Sequence, residues 1–121
     1  MSLSPEAQLT SDADYRRLAG GVLSAIEDQL DRWLQGDVVD IDSQRTGGLL
    51  ELTLPDRSKV VVNLQPPLQE LWLATRAGGH HYRLVAGHWV DSRDGTEFFE
   101  SLSNQVSAQA GVALRFIAPT A

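Results

Sequence analysis

The chain has no cysteine, which removes disulfides, thiolate metal sites and thiol nucleophiles together and is compatible with a reducing cytosol. Nowhere do eighteen consecutive apolar residues occur, so no helical membrane span is available. Met1 to Thr10 carries neither the basic-then-apolar layout of a secretory signal nor the Arg-rich character of an organelle transit peptide. Positive charge is scarce: ten Lys and Arg face sixteen Asp and Glu, and the net charge of −6 opposes nucleic-acid binding. No glycine-rich phosphate loop, no G-x-S-x-G elbow and no nucleophile–base–acid arrangement is visible. These absences predict a soluble protein without membrane or nucleic-acid partners that is not an enzyme, and they are compatible with a cytoplasmic location; we expect a monomer.

What is present is enough apolar material, 42% of 121 residues, for one domain that needs no staples. We expect it over residues 11–121, after a loose lead-in at 1–10. Tyr15, Leu18, Ala19, Val22, Ile26, Leu30 and Trp33 recur at helical spacing, with Ser11 and Asp14 as a capping-box-like start and Gly36 as a stop. Gly20 and Gly21 fall inside this pattern, each costing about 1 kcal/mol relative to Ala. Val39 and Ile41 alternate with Asp40 and Asp42, which predicts a first strand with both carboxylates on one side.

Beyond the Gly47-Gly48 turn, Leu50, Leu52 and Leu54 mark a second strand, and Lys59 to Gln65 a third. Glu70 to Thr75 makes a fourth, with Leu71 and Leu73 inward and Glu70, Trp72 and Ala74 outward, so Trp72 is a candidate exposed aromatic. Gly78-Gly79 reads as a turn into His80–Leu84, Ala86-Gly87 as a turn into His88–Val90, and a second helix begins near Thr96 and ends at Gly111. The apolar tail Val112–Ile117 can pack back between the helices. The pattern predicts an α+β, two-layer sandwich: two helices on one face of a six-stranded antiparallel sheet.

The charge is concentrated. Asp12, Asp14, Glu27, Asp28, Asp31, Asp37, Asp40 and Asp42 are half of all the acids, opposed in that stretch only by Arg16, Arg17 and Arg32. Glu27 with Asp31, and Asp28 with Asp31, are like-charge neighbours near the helix C-terminus, each pair unfavourable by about 0.2–0.5 kcal/mol, and the macrodipole there prefers cations. A solvated face is the bland explanation; placement that works against helix stability argues for a use. All-oxygen ligands suit hard cations such as Mg²⁺, Ca²⁺, Mn²⁺, Fe²⁺ or Fe³⁺, bound weakly in an open row with water completing each shell. A basic protein surface is the other natural target. His80 and His81 are adjacent, so a strand sends them to opposite faces, and together with His88 they form no evident ligand set.

The segments IEDQLDRW and DVVDID, the hairpin GGLLELTL, the run SKVVVNLQPPLQELWLATRAGGHHY and the later WVDSRDGTEFFESL together resemble the frataxin family, closest to its bacterial form, over Asp12 to Phe116. The resemblance implies the same sandwich, and an iron-binding accessory protein of iron–sulfur cluster assembly that contacts a cysteine desulfurase and the cluster scaffold. It places iron on the eight acids just named and a partner surface on Asn63, Gln65 and Trp72. Against that resemblance, Arg32 and Gln44 stand where relatives often have acids and Arg16 where some have a histidine, which implies a somewhat less charged acidic ridge. Glu70 for a glutamine and Leu64 for a basic residue are further departures. A ferroxidase oxidising Fe²⁺ at the surface carboxylates is the alternative the same acids allow.

Overall fold

The structure, a computed structural model, describes residues 10–119, so the expected lead-in lies, apart from Thr10, outside the described residues. Helix α1 runs from Asp12 to Gln35. Ser11 caps it as expected, its hydroxyl accepting from the Asp14 N–H at 3.0 Å. The buried stripe contains Tyr15, Ala19, Val22, Ile26 and Leu30, and adds Leu23 and Gln29; a core-facing helix buries a band wider than a strict seam. Gly36 donates to the Arg32 carbonyl, and Asp37, at φ 58°, turns the chain away.

The first strand, β1, spans Asp42–Thr46, not the segment from Val39 that the alternation suggested. Its register is set from the far end. The Gly47-Gly48 turn pairs Thr46 with Leu49 and Asp42 with Thr53 of β2 (Leu49–Thr53). Leu54 then leaves the ladder, its N–H donating to the Ser58 carbonyl across the next turn, so Asp40 and Ile41 have no residue to pair with. Gly48 is also tightly placed, because a Cβ there would sit 3.2 Å from Leu64 Cβ.

Strands β3 (Lys59–Gln65) and β4 (Glu70–Thr75) fall where the sequence placed them, separated by a single 3₁₀ turn at Pro66–Leu68. The next turn is Arg76-Ala77, with Gly78 and Gly79 already inside β5 (Gly78–Val85). β6 (His88–Asp91) completes one antiparallel sheet in strict chain order, β1 to β6. Helix α2, Phe98–Ala110, starts two residues later than expected. Thr96 is held by sheet-like bonding, its carbonyl accepting from the Asp91 N–H, and Val90 bridges to Glu97. The Glu97 carboxylate caps the Phe99 and Glu100 N–H groups, and Gly111 closes the helix at φ 73°.

Both helices cover one face of the sheet, giving the α+β two-layer sandwich. Leu50, Leu52, Val60, Val62, Leu71, Leu73, Tyr82 and Trp89 from the sheet meet Ile26, Leu23, Phe98, Leu102 and Val106 from the helices. The tail packs as expected: Phe116 meets Trp33 edge to face at 4.8 Å, and Leu114 is buried. Ser107 Oγ accepts from the Leu114 N–H and donates to its carbonyl, both at 2.8 Å, while Ser103 Oγ accepts from the Phe116 N–H. Among the described residues no helix is long and apolar enough to cross a membrane.

Candidate functional site

The eight acids divide by what they touch. Asp12 is paired with Arg16 at 2.9 Å and Asp14 with Arg17 at 3.4 Å, one turn apart on α1, all four side chains exposed. Glu27 meets Arg45 of β1 at 2.8 Å. Asp28, Asp31, Asp37, Asp40 and Asp42 are exposed, and their carboxylates have no hydrogen bond or ion pair among the described residues. Arg32 does not relieve Asp28, as its spacing suggested; its guanidinium donates to Gln29 Oε1 at 3.0 Å.

Position separates them too. Asp28 is fourteen positions beyond Asp14, about 21 Å along a helix rising 1.5 Å per residue, so Asp12 and Asp14 lie toward the opposite end of α1. Arg45 sits opposite the buried Leu50 and reaches α1, so it lies on the helix side of the sheet. Asp42, at odd spacing from Arg45 and opposite Thr53, points to the other side. Asp40 and Asp42 still come together, lining a depression of about 380 Å³ with Thr53, Leu54, Pro55 and Arg57. Asp28 and Asp31 thus project from α1, Asp37 and Asp40 from the segment that follows it, and Asp42 from the first residue of β1. Among the described residues no three or more acids or histidines converge as a closed metal site.

The open face of the sheet holds a second constellation. Register places Asn63 opposite Trp72, Trp72 opposite His81, Gln65 opposite Glu70 and Glu70 opposite Arg83. Trp72 does lie on this outer face, but it is half-buried: His81 stacks on it at 4.2 Å with the planes 6° apart. Glu70, only 4% exposed, is the hub. It accepts from the Trp72 indole at 2.8 Å and from Arg83 Nε at 2.9 Å, and His81 Nδ1 lies 3.9 Å away. Burial works to raise its pKa, but the indole, Arg83 and His81 together outweigh that and hold the carboxyl below the usual range. Tyr15 ties this face to α1, its hydroxyl donating to the Glu70 carbonyl at 2.5 Å and accepting from the Gln65 N–H at 2.9 Å.

His80 points to the helix side, as parity requires, and contacts the buried Asp91 at 3.1 Å. His88 lies apart from it, on the wall of a groove of about 600 Å³ that runs past Leu18, Gly21, Trp89 and Phe99. Sequence reasoning assigns Arg45, Glu70, His81 and Arg83 no place in a site. Two signals were available: Arg45 has inward parity in a hairpin whose opposite residue is Leu, and Glu70 faces a basic residue across the β4–β5 ladder.

Over residues 8–112 the chain matches the family described as Frataxin-like domain. It is 48% identical over 109 residues to the iron-sulfur cluster assembly protein CyaY of Polaromonas sp., covering 90% of this chain and 94% of that one. The protein of the same name from Burkholderia mallei is 48% identical over 108 residues, covering 89% and 99%. Among solved structures, the frataxin from Psychromonas ingrahamii superposes with a TM-score of 0.80 at 32% identity, over 89% of this chain and 99% of that one.

Proposed function

The chain belongs to the frataxin family, and from that membership we propose that it is an iron-binding accessory protein of iron–sulfur cluster assembly, acting as a single domain in the cytoplasm. Iron is cargo held weakly by carboxylates and water at the end of α1 and the loop beyond it. The observation that carries this reading is the set of five exposed carboxylates without partners, Asp28, Asp31, Asp37, Asp40 and Asp42. Asp12, Asp14 and Glu27 contribute less, each sharing its charge with an arginine. Hard oxygen donors in an open array suit Fe²⁺ or Fe³⁺ and discriminate poorly against other hard cations.

The same charge steers a basic patch of a cysteine desulfurase toward the ridge. The outer sheet face, with Asn63, Gln65 and Trp72, meets the scaffold side of the assembly. The test is an anaerobic Fe²⁺ titration followed by backbone resonances, then a titration with desulfurase. Both ligands should perturb residues from Asp28 to Asp42 more than Asp12 and Asp14. Charge reversal of Asp28, Asp31 and Asp42 that left iron binding and desulfurase association unchanged would overturn the proposal. Oxygen consumption beyond the binding stoichiometry would make the protein a ferroxidase instead.

A further inference from the structure

The outer face carries a titratable group in a position where its proton matters. The His81 imidazole lies flat on the Trp72 indole at 4.2 Å, and its Nδ1 is 3.9 Å from the Glu70 carboxylate that also binds the indole N–H. We propose that His81 is a proton-operated clamp: when charged it fixes the Trp72 indole for docking, and when neutral it lets the ring loosen. This rests on the reading that the outer face receives a protein partner and adds a regulation to it.

The sign follows from the neighbours. A protonated imidazole on an indole face gains the attraction of a cation for the ring quadrupole, and it gains the Glu70 carboxylate as well. Arg83 opposes both, but its guanidinium is directed to the other carboxylate oxygen, Glu70 Oε2, at 2.9 Å and is half-exposed. Arg93 is the other nearby cation, donating at 3.0 Å to the carbonyl of Gly79, two residues before His81. Just past β6 the Ser92 N–H reaches the His81 carbonyl, and Asn63 of β3 is neutral. The stack also walls a shallow notch of about 160 Å³ with Val61, Asn63, Ala74 and Gly79. Ring orientation therefore sets the shape of the surface a partner meets.

His81→Phe keeps an aromatic plane on Trp72 and removes the proton. Desulfurase–scaffold complex binding to the full chain is measured at about pH 6 and about pH 8, bracketing the range where imidazoles titrate. The tightening from high to low pH should be about two- to fivefold greater in the wild type than in His81→Phe, the size of an exposed cation–π contact. Equal ratios in the two proteins overturn the clamp. The Trp72 indole N–H resonance, followed without partner over the same range, should move in the wild type and stay still in His81→Phe. If it moves alike in both, the clamp fails whatever the binding shows. If Trp72→Ala binds the complex as the wild type does, it is the outer-face reading that falls, and the indole resonance alone decides the clamp.

Discussion

Arg45 lies across α1, its Nη1 2.8 Å from Glu27 Oε1 and 3.1 Å from Ser24 Oγ, its Nη2 reaching the Gly20 carbonyl at 3.5 Å. One side chain from the edge strand thus cancels a ridge charge and anchors the strand to the helix. Arg45→Gln should loosen that edge by only about 0.5–1 kcal/mol, since both partners are one-third exposed and solvent screens the pair. It should also raise Fe²⁺ affinity by freeing Glu27. Urea unfolding and anaerobic calorimetry read the two effects; iron affinity that falls would show that Arg45 organises the ridge and does not compete with it.

Removing Asp31 should separate stability from function. Its like-charge neighbours on α1 make Asp31→Asn stabilising by about 0.4–1 kcal/mol, the sum of two helical repulsions, while iron and desulfurase binding weaken. The paired control, Asp14→Asn, should leave binding nearly unchanged and cost a few tenths of a kcal/mol through its lost place in the first turn of α1. Thermal melts beside binding isotherms for the two variants check the contrast.

Glu70 makes stability acid-sensitive. Its folded pKa is lowered, so its contribution is complete above the unfolded carboxylate pKa and disappears as pH falls through the lower folded value. Glu70→Gln should cost about 1–3 kcal/mol at pH 7, where Arg83 loses its charged acceptor. The gap to the wild type should shrink steadily below about pH 4. Urea midpoints at neutral and acid pH measure it; a gap that stayed constant would mean Glu70 acts by packing alone. Asp56 also contributes acid sensitivity: hydrogen bonds from Ser58 and Arg76 bring its carboxyl down to about 2.

Gly21→Ala should stabilise the protein by about 0.5–1 kcal/mol, because a Cβ there meets nothing within 4 Å and the position is interior to α1. A loss of stability in thermal melts would mean that the groove beside Gly21 is occupied in solution.

Much of the fold was legible because period and punctuation agreed. The α1 stripe, the alternations in β2 to β4, and the Gly36 and Gly111 stops each carry their own local cause. β1 was misplaced because Val39-Asp40-Ile41-Asp42 alternates as a strand does, whereas strand ends are fixed by available partners, and these run out at Thr53. The acids were legible as a concentration of charge, but their division was not. Asp12 and Asp14 have local arginines visible in the sequence, while the partner of Glu27 arrives from 18 residues away. Trp72 was placed on the correct face by parity alone. Its stack with His81 and its bond to a buried Glu70 depend on cross-strand register, which a single strand does not encode.

The strict chain order of the sheet has a consequence for how the protein is made. Every strand pairs with its neighbour in sequence, so the meander is built from short loops and can assemble as the chain grows. Its inner face is different. α2 and the tail, with Phe98, Leu102, Val106, Leu114 and Phe116, come last, yet they cover Tyr82 and the β6 side and close against Trp33 of the first helix. Until Phe98 to Phe116 have left the ribosome, the part of the apolar face that they cover has no lid. A stalled or truncated chain therefore presents a ready sheet with an uncovered core, the kind of species that chaperones retain and proteases remove.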